Sequence, residues 1–475
     1  MPILGVATRG AAMAAKHARA RRVASYPRAM SADELLRAVI ENPNDDGVRL
    51  VYIDALIQAG DPRGELLANH VAVTPAQLAA AWHLGDAVSD LTFDRGFPVG
   101  ATISLTAKDR DPLRALDHAP IRAVRLRHDH DFEESYDNYR PEIERERGPV
   151  RAAQQFARDP RTARLGSLDL SHQRWGDETV RTLLGADLRA LCSLQIGADD
   201  AQTYAVEAIL ANPALALDFL YFYGRNGVGY GDSNSDLVDG VPLLAASPRC
   251  ASLWGLTISR CGLDHRAADQ IASSPHFAEL VALDLEGGHC ATQTQRIGDA
   301  GLEALARSPH LTKLEYLAVG DNAITDAGLA AIARSPTLAG LTELGLEYNR
   351  VHDAGLAALS APGVLPALRS LALAGCPITA GGLAPLVAAH AFEELYLAGC
   401  DQLGDAGVIA VATSPHVRAL RYLSLHVSGV TAAGIDALVA APFEQLARLT
   451  LPRLDPQLQQ QVVARFGAAL EVFST

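Results

Sequence analysis

Leu341-Thr-Glu-Leu344-Gly-Leu346-Glu-Tyr-Asn349-Arg-Val351 runs straight into His352-Asp-Ala-Gly-Leu356-Ala-Ala-Leu359. In the first half Leu344 and Leu346 stand two apart, so in an extended strand they point to the same side. In the second half the apolar residues stand three apart, the spacing of a helix face. One pattern (apolar, two residues, apolar, one residue, apolar) recurs twelve times between Ile121 and Leu451. Its middle residue marks each strand: Val124, Leu168, Leu194, Leu220, Leu256, Leu283, Leu317, Leu344, Leu371, Leu395, Leu423 and Leu449. Successive spacings are 44, 26, 26, 36, 27, 34, 27, 27, 24, 28 and 26, so eight of eleven fall between 24 and 28. A unit this short cannot bury its own apolar face; only a stack of units can. The register therefore predicts an α/β solenoid, with parallel strands on a concave sheet and short helices on the convex side.

Each unit carries its own punctuation. Three residues past the strand lies a turn position, filled by Cys261, Asn322, Asn349, Cys376, Cys400 and Ser428. Short polar or thiol side chains there can bond backbone groups in the bend. Thr325-Asp326 and His352-Asp353 supply helix N-caps, and Leu329/Ile332 and Leu356/Leu359 form inner helix faces. Ser-Pro closes many units, at Ser247, Ser274, Ser308, Ser335 and Ser414, because a residue before proline is driven out of the helical conformation.

The period and the Thr325-Asp-Ala-Gly-Leu329 wording of the helix start resemble leucine-rich repeats of the ribonuclease-inhibitor-like subclass. That subclass also holds the GTPase activators of Ran and the F-box adaptors. The resemblance covers residues 121–451 and implies the fold, a leucine-rich-repeat solenoid. For function it implies a protein-binding scaffold or receptor, a GTPase activator supplying a loop arginine such as Arg225 or Arg260, or an adaptor bridging two proteins.

At 475 residues the chain exceeds the ~250–300 residues of a single core, a limit that a solenoid escapes by growing in one dimension. No apolar run approaches the ~18–20 residues of a membrane helix. The six cysteines are scattered and three occupy the turn position, which favours structural thiols in a reducing cytoplasm over a disulfide framework. Residues 1–28 hold six basic residues and no acid, so the rest of the chain carries −20 of the net −14. An acidic body argues against nucleic acid and for a basic protein surface as partner. A monomer is expected.

The three long spacings exceed the common period by about 18, 10 and 7 residues, and these insertions are candidate recognition loops. Residues 1–29, rich in Ala and Arg, form a basic leader or an over-extended start preceding Met30. Order is expected from the capping box Ser31-Ala-Asp-Glu34. Asn42-Pro43 ends that helix, Asp45 or Asp46 opens a second that closes at Gly60, and Asp61-Pro62 caps a third. The string Leu35-Leu36, Asn42-Pro43-Asn-Asp45-Asp46, Arg49-Leu50-Val51-Tyr52-Ile53-Asp54 and Gly60-Asp61-Pro62-Arg63-Gly64-Glu65-Leu66 resembles the repeat-companion domain at the front of many bacterial leucine-rich-repeat proteins. Ala55-Leu56 departs from that family's Trp-Leu, losing one packing aromatic. The expected organisation is a helical domain over 31–90, a connector strand over 91–120 starting near Phe93, repeats over 121–451 and a cap over 452–475.

Catalytic signatures for zinc peptidases, serine hydrolases and P-loop enzymes are absent from the sequence, so a non-enzymatic role without cofactor or metal is expected. Gly227-Val-Gly229-Tyr-Gly231 lies in an insertion and reads as a flexible loop. Cys261, His265 and His289-Cys290 lack a closed zinc ligand set, and His128-Asp129-His130-Asp131 reads as a charged surface loop. The side chains flanking each strand's middle residue are more informative, because they face away from the core. They are Phe219, Tyr221 and Tyr223; Asp284 and Glu286; Tyr316; Glu343, Gly345 and Glu347; Glu394 and Tyr396; and Tyr422, followed by Ser424 and His426. Five of the twelve tyrosines fall in this set. Tyrosine among carboxylates suits a protein-binding groove, since its ring gives contact area at low entropic cost. The expected centre is the Leu220 strand with its insertion 224–236, rimmed by Asp284/Glu286 and the insertion 287–296.

Overall fold

The computed structural model describes residues 30–82, 84–105, 111–128, 142–197, 201–224, 237–288, 295–426 and 429–472. The leader 1–29, Arg225, the glycine stretch with Tyr230, Asp129–Asp131, His289-Cys290 and Ser428 lie outside them. The chain divides into two compact units, residues 1–200 with 204–220, and residues 201–203 with 221–475.

The first unit begins with four helices: α1 (Ala32–Glu41), α2 (Asp46–Gln58), α3 (Pro62–Ala68) and α4 (Pro75–Trp82). Local chemistry sets their starts. The Ser31 amide donates to Glu34 Oε2 at 2.8 Å while Glu34 returns its amide to Ser31 Oγ at 3.3 Å, a reciprocal capping box. Asp45 and Asp61 cap α2 and α3 through Gly47 and Arg63 amides, and Gly60 takes the left-handed turn between them at φ +72°. Leu35, Val39, Val48, Tyr52, Leu56, Leu67 and Trp82 are buried. Tyr52 and Trp82 pack on Phe97 at centroid distances of 6.1 and 5.9 Å.

Five strands follow in this unit: β1 (Val88–Asp94), β2 (Phe97–Leu105), β3 (Ala123–His128), β4 (Ser167–Leu170) and β5 (Ser193–Gly197). The connector is a hairpin, not the single strand expected from Phe93 onward. Strands β1 and β2 pair antiparallel about Arg95-Gly96, both at positive φ (50° and 82°), the backbone a two-residue hairpin turn demands. From β2 onward pairing is parallel, and the marker residues meet in register, Val124 with Leu168 and Leu168 with Leu194.

Strand β6 (Phe219–Tyr223) spans the division, with Phe219 and Leu220 counted in the first unit and Tyr221–Tyr223 in the second. The second unit continues with β7 (Gly255–Ser259), β8 (Ala282–Asp284), β9 (Tyr316–Ala318), β10 (Glu343–Gly345), β11 (Ser370–Ala372), β12 (Glu394–Tyr396), β13 (Tyr422–Ser424), β14 (Arg448–Leu451) and β15 (Leu470–Val472). All pair parallel from β7 to β15, and Leu256, Leu283, Leu317, Leu344, Leu371, Leu395, Leu423 and Leu449 align in one row. These leucines are at most 2% exposed, each contributing about 2 kcal/mol of burial. A helix follows nearly every strand, which makes the architecture a leucine-rich-repeat solenoid with a small N-terminal helical region. The last stretch, 452–475, repeats the unit: helix Pro456–Phe466 precedes β15, whose Leu470 pairs with Leu449.

Three rows of polar contacts tie each unit to the next. At the turn position, Asn349 Oδ1 accepts the Asn322 and Ile324 amides at 3.0 Å, and its Nδ2 donates to the Val319 and Leu346 carbonyls. Cys376 and Cys400 do the same job as thiols, donating to Leu346 and Leu373 carbonyls at 3.2 and 3.1 Å. At the unit ends, Ser274, Ser308, Ser335 and Ser414 hydroxyls donate to carbonyls of the preceding helix, at 2.5 to 2.6 Å. Those carbonyls have no partner inside their own helix. In the unit lacking that serine, His390 Nε2 meets the Leu359 carbonyl at 2.9 Å. The third row joins helix starts: Asp299, Asp353 and Asp405 carboxylates each hold the amide and hydroxyl of the next unit's Thr325, Thr379 and Thr431. This row explains the glycine of the motif. A Cβ on Gly328 or Gly382 would stand 2.6 or 2.5 Å from Asp299 or Asp353 Oδ1. The aspartate of one unit thus demands glycine in the next.

Candidate protein-binding face

The strands present one side chain per unit before and one after the buried marker leucine. In the second unit this face divides into an acidic and an aromatic part.

The acidic part gathers Asp284, Glu286, Tyr316 and Glu347 from β8 to β10 and the turns that follow β8 and β10, all half-buried. Asp284 Oδ1 accepts the Glu286 amide at 2.9 Å. The Glu347 carboxylate folds back over two glycines. Its Oε2 lies 3.0 Å from where a Cβ on Gly345 would sit and 3.4 Å from the same point on Gly320. Glu286 Cγ reaches within 3.5 Å of that Gly320 point from the other side. Two like charges therefore approach each other over these glycines, and Glu286 repels the Glu347 carboxylate. Arg260, at φ +61°, answers one of them, donating from Nη2 to Glu286 Oε1 at 3.1 Å. This ion pair also places the candidate finger Arg260 on the carboxylate of the next repeat.

Burial dominates the electrostatics here. It pushes the Asp284 carboxyl up to about 7; the Glu286 amide pulls it down, Glu286 and Glu347 push it further up, and Arg260 opposes them. Burial likewise raises Glu347, with Glu286 adding to it. Tyr316 is raised by burial and then by Asp284, Glu347, Glu343 and Glu286. The cluster holds more negative charge than its surroundings solvate, and an incoming cation would relieve it.

The aromatic part lies on β11 to β14. Tyr396 and Tyr422 rings meet at 4.6 Å between centroids, and Arg448 sits over Tyr422 at 5.4 Å. Tyr396 Oη donates to Glu394 Oε2 at 3.0 Å, and Ser370 Oγ donates to the same oxygen at 3.3 Å. Glu343, on β10, is half-buried between the two parts. Arg448 and Ser370 were not among the expected site residues, although the register that pairs Tyr422 with Arg448 puts Arg448 in the same outward row. The outward spacing placed Gly345 beside Glu347 but gave no sign that the Glu347 carboxylate lies over Gly345 and Gly320.

The expected centre needs correction. Phe219 is 7% and Tyr221 4% exposed, and Tyr221 stacks on the half-buried Tyr223 at 6.0 Å and 11°. Phe219 and Tyr221 are packing elements, because so little of either ring is exposed, whereas Tyr223 is half-buried like Tyr396 and Tyr422. Insertion 224–236 lies almost wholly outside the described residues, as does the middle of insertion 287–296.

A family model described as "Leucine Rich repeat" matches residues 310–333 and 390–412. No curated protein matches the chain in sequence. Among solved structures, an internalin from Listeria monocytogenes is 14% identical, with a TM-score of 0.35, over 72% of this chain and 84% of that one. A Rad7–Elc1 complex from yeast gives 19% identity and a TM-score of 0.39 over 62% and 75%, and a Bacteroides fragilis protein 18% and 0.37 over 52% and 74%. At these scores the likenesses determine neither the details of the fold nor a partner. The strand register and the turn row show a leucine-rich-repeat solenoid, and the family model matches two of its repeats.

Proposed function

We propose that the chain is a non-enzymatic scaffold that holds a basic protein surface on the strand side of its second unit. The observation that carries this reading is the convergence of Glu286 and Glu347 over Gly320, beside an Asp284 carboxyl pushed up to about 7. A lysine or arginine from a partner would let these groups ionise, and Tyr396 and Tyr422 would supply the flanking contact area. The protein-binding set is therefore Tyr223, Asp284, Glu286, Tyr316, Glu343, Glu347, Glu394, Tyr396 and Tyr422, and the buried Phe219 and Tyr221 are packing residues. The helix-start wording supports the ribonuclease-inhibitor-like subclass. The helices at 31–90 support a bacterial repeat-companion module, joined through 91–120 to repeats over 121–451 and an end cap over 452–475. The described cysteines are all free, which supports a reducing, cytoplasmic setting, and no described helix is long and apolar enough to cross a membrane.

The test is a pull-down with the wild type and with Asp284→Asn/Glu347→Gln, followed by affinity measurement on each recovered protein. The reading expects basic partners that the double variant loses. Recovery of the same proteins at the same affinity by both forms would contradict it.

A further inference from the structure

In the first unit the N-terminal helices line an open cavity of about 300 Å³. Its walls include Asp33 and Leu36 of α1, Tyr52 of α2, Arg63 of α3, Trp82 of α4, and His118. The size is that of a small-ligand pocket, and the polar groups on it are left over from the fold. Tyr52 is 1% exposed, yet its hydroxyl makes no hydrogen bond among the described residues. Tyr52 Oη is not among the orphaned buried atoms, so the ring is covered while the hydroxyl opens onto the cavity, where it is free to bond an incoming group.

Arg63 is fixed in place without being used up. Asp61 takes its Nε at 3.1 Å and its Nη2 at 2.6 Å, and the guanidinium lies over the Trp82 ring at 5.6 Å. Nη1 keeps both its N–H groups. Asp33, in the first turn of α1, makes no ion pair or hydrogen bond, and neither does His118. The cavity therefore offers a guanidinium and a phenol to an anion, a carboxylate to a cation, and Trp82 with Leu36 to a short apolar chain. A purely anionic ligand would meet a net negative wall, since Asp61 already balances Arg63. A molecule carrying both charges fits the set.

We propose that this cavity binds a small zwitterion of the α-amino acid class. Its carboxylate takes Arg63 Nη1 and the Tyr52 hydroxyl, its ammonium takes Asp33, and its side chain lies against Trp82 and Leu36. The site is independent of the strand face and would stand if the scaffold reading failed.

The experiment is ligand-observed NMR followed by calorimetry on the full chain, with the common free α-amino acids as probes at millimolar concentration. The best binder is then compared with its own N-acetyl and amide derivatives. The expected result is saturable binding of at least one apolar amino acid, lost on either modification. Tyr52→Phe, which keeps the ring, should weaken it about tenfold, the worth of one hydrogen bond to a charged group. Asp33→Asn, at an exposed position, should weaken it similarly and serves if Tyr52→Phe does not fold. The proposal is overturned if no amino acid binds saturably, if the derivatives bind as well as the parent, or if the folded variants bind as tightly as the wild type.

Discussion

Asp353 holds both the amide and the hydroxyl of Thr379, one repeat further along the chain, at 2.8 and 2.5 Å. The same pair of bonds joins Asp299 to Thr325 and Asp405 to Thr431. A hydrogen bond to a charged acceptor is worth about 1.5–3 kcal/mol. Asp353→Ala should therefore lower the free energy of unfolding by about 2 kcal/mol in a denaturant titration, and Thr379→Ala by about 1 kcal/mol. The double variant should lose less than the sum, since both remove one contact. Additive losses would mean that the two residues act separately.

Cys376 and Cys400 should resist thiol reagents in the native protein. Burial pushes their thiols up to about 11 and about 12, and each already donates to a carbonyl. The reactive thiolate is therefore scarce near neutral pH. Labelling should follow the rate of unfolding, and replacing either residue with serine should leave the labelling rate of the other unchanged.

The acidic cluster gives stability a pH dependence of known sign. Asp284 has a folded pKa of about 7 against an unfolded value near ~3.9, so the folded state binds the proton more tightly. The Asp284 contribution to stability is then largest below pH ~4, falls as pH rises from about 4 to about 7, and is level above. Glu347, also raised, acts in the same direction. Asp284→Asn should flatten this slope and leave the protein more stable than wild type above pH ~7. Equal slopes in the two forms, read from thermal midpoints across the range, would contradict the assignment.

Tyr221→Ala should act on stability rather than on recognition. The ring is 4% exposed and stacked on Tyr223, and removing a buried ring costs about 3 kcal/mol or more. Tyr422→Ala removes a half-buried ring on the strand face, and should leave the melting temperature nearly unchanged while weakening partner binding severalfold.

The repeats were legible because one apolar rule acts twelve times. A slip of a single residue would turn every marker leucine out of the core, so the period in the sequence and the row from Leu256 to Leu449 are one fact seen twice. The β1–β2 hairpin was not legible, because Arg95 takes a left-handed turn that arginine rarely signals. For the face, the spacing placed Asp284, Glu286, Tyr396 and Tyr422 on the strand side but said nothing of how deeply each ring sits. Tyr221 and Phe219 occupy the same kind of position as Tyr422, and their burial depends on what packs against them. The approach of Glu286 and Glu347 over Gly320 could emerge only once three units stood side by side.

On the proposed reading, the strand-side carboxylates must ionise to take a basic partner. The most direct measurement is the affinity of a recovered partner across pH ~5.5 to ~8.5, for the wild type and for Asp284→Asn/Glu347→Gln. Affinity should rise with pH, level off above about 7, and be weak and nearly flat in the double variant, while the contribution of these two carboxyls to the stability of the free protein runs the opposite way. A wild-type affinity that is flat or falls with rising pH, or a double variant that binds as tightly as the wild type, would contradict it.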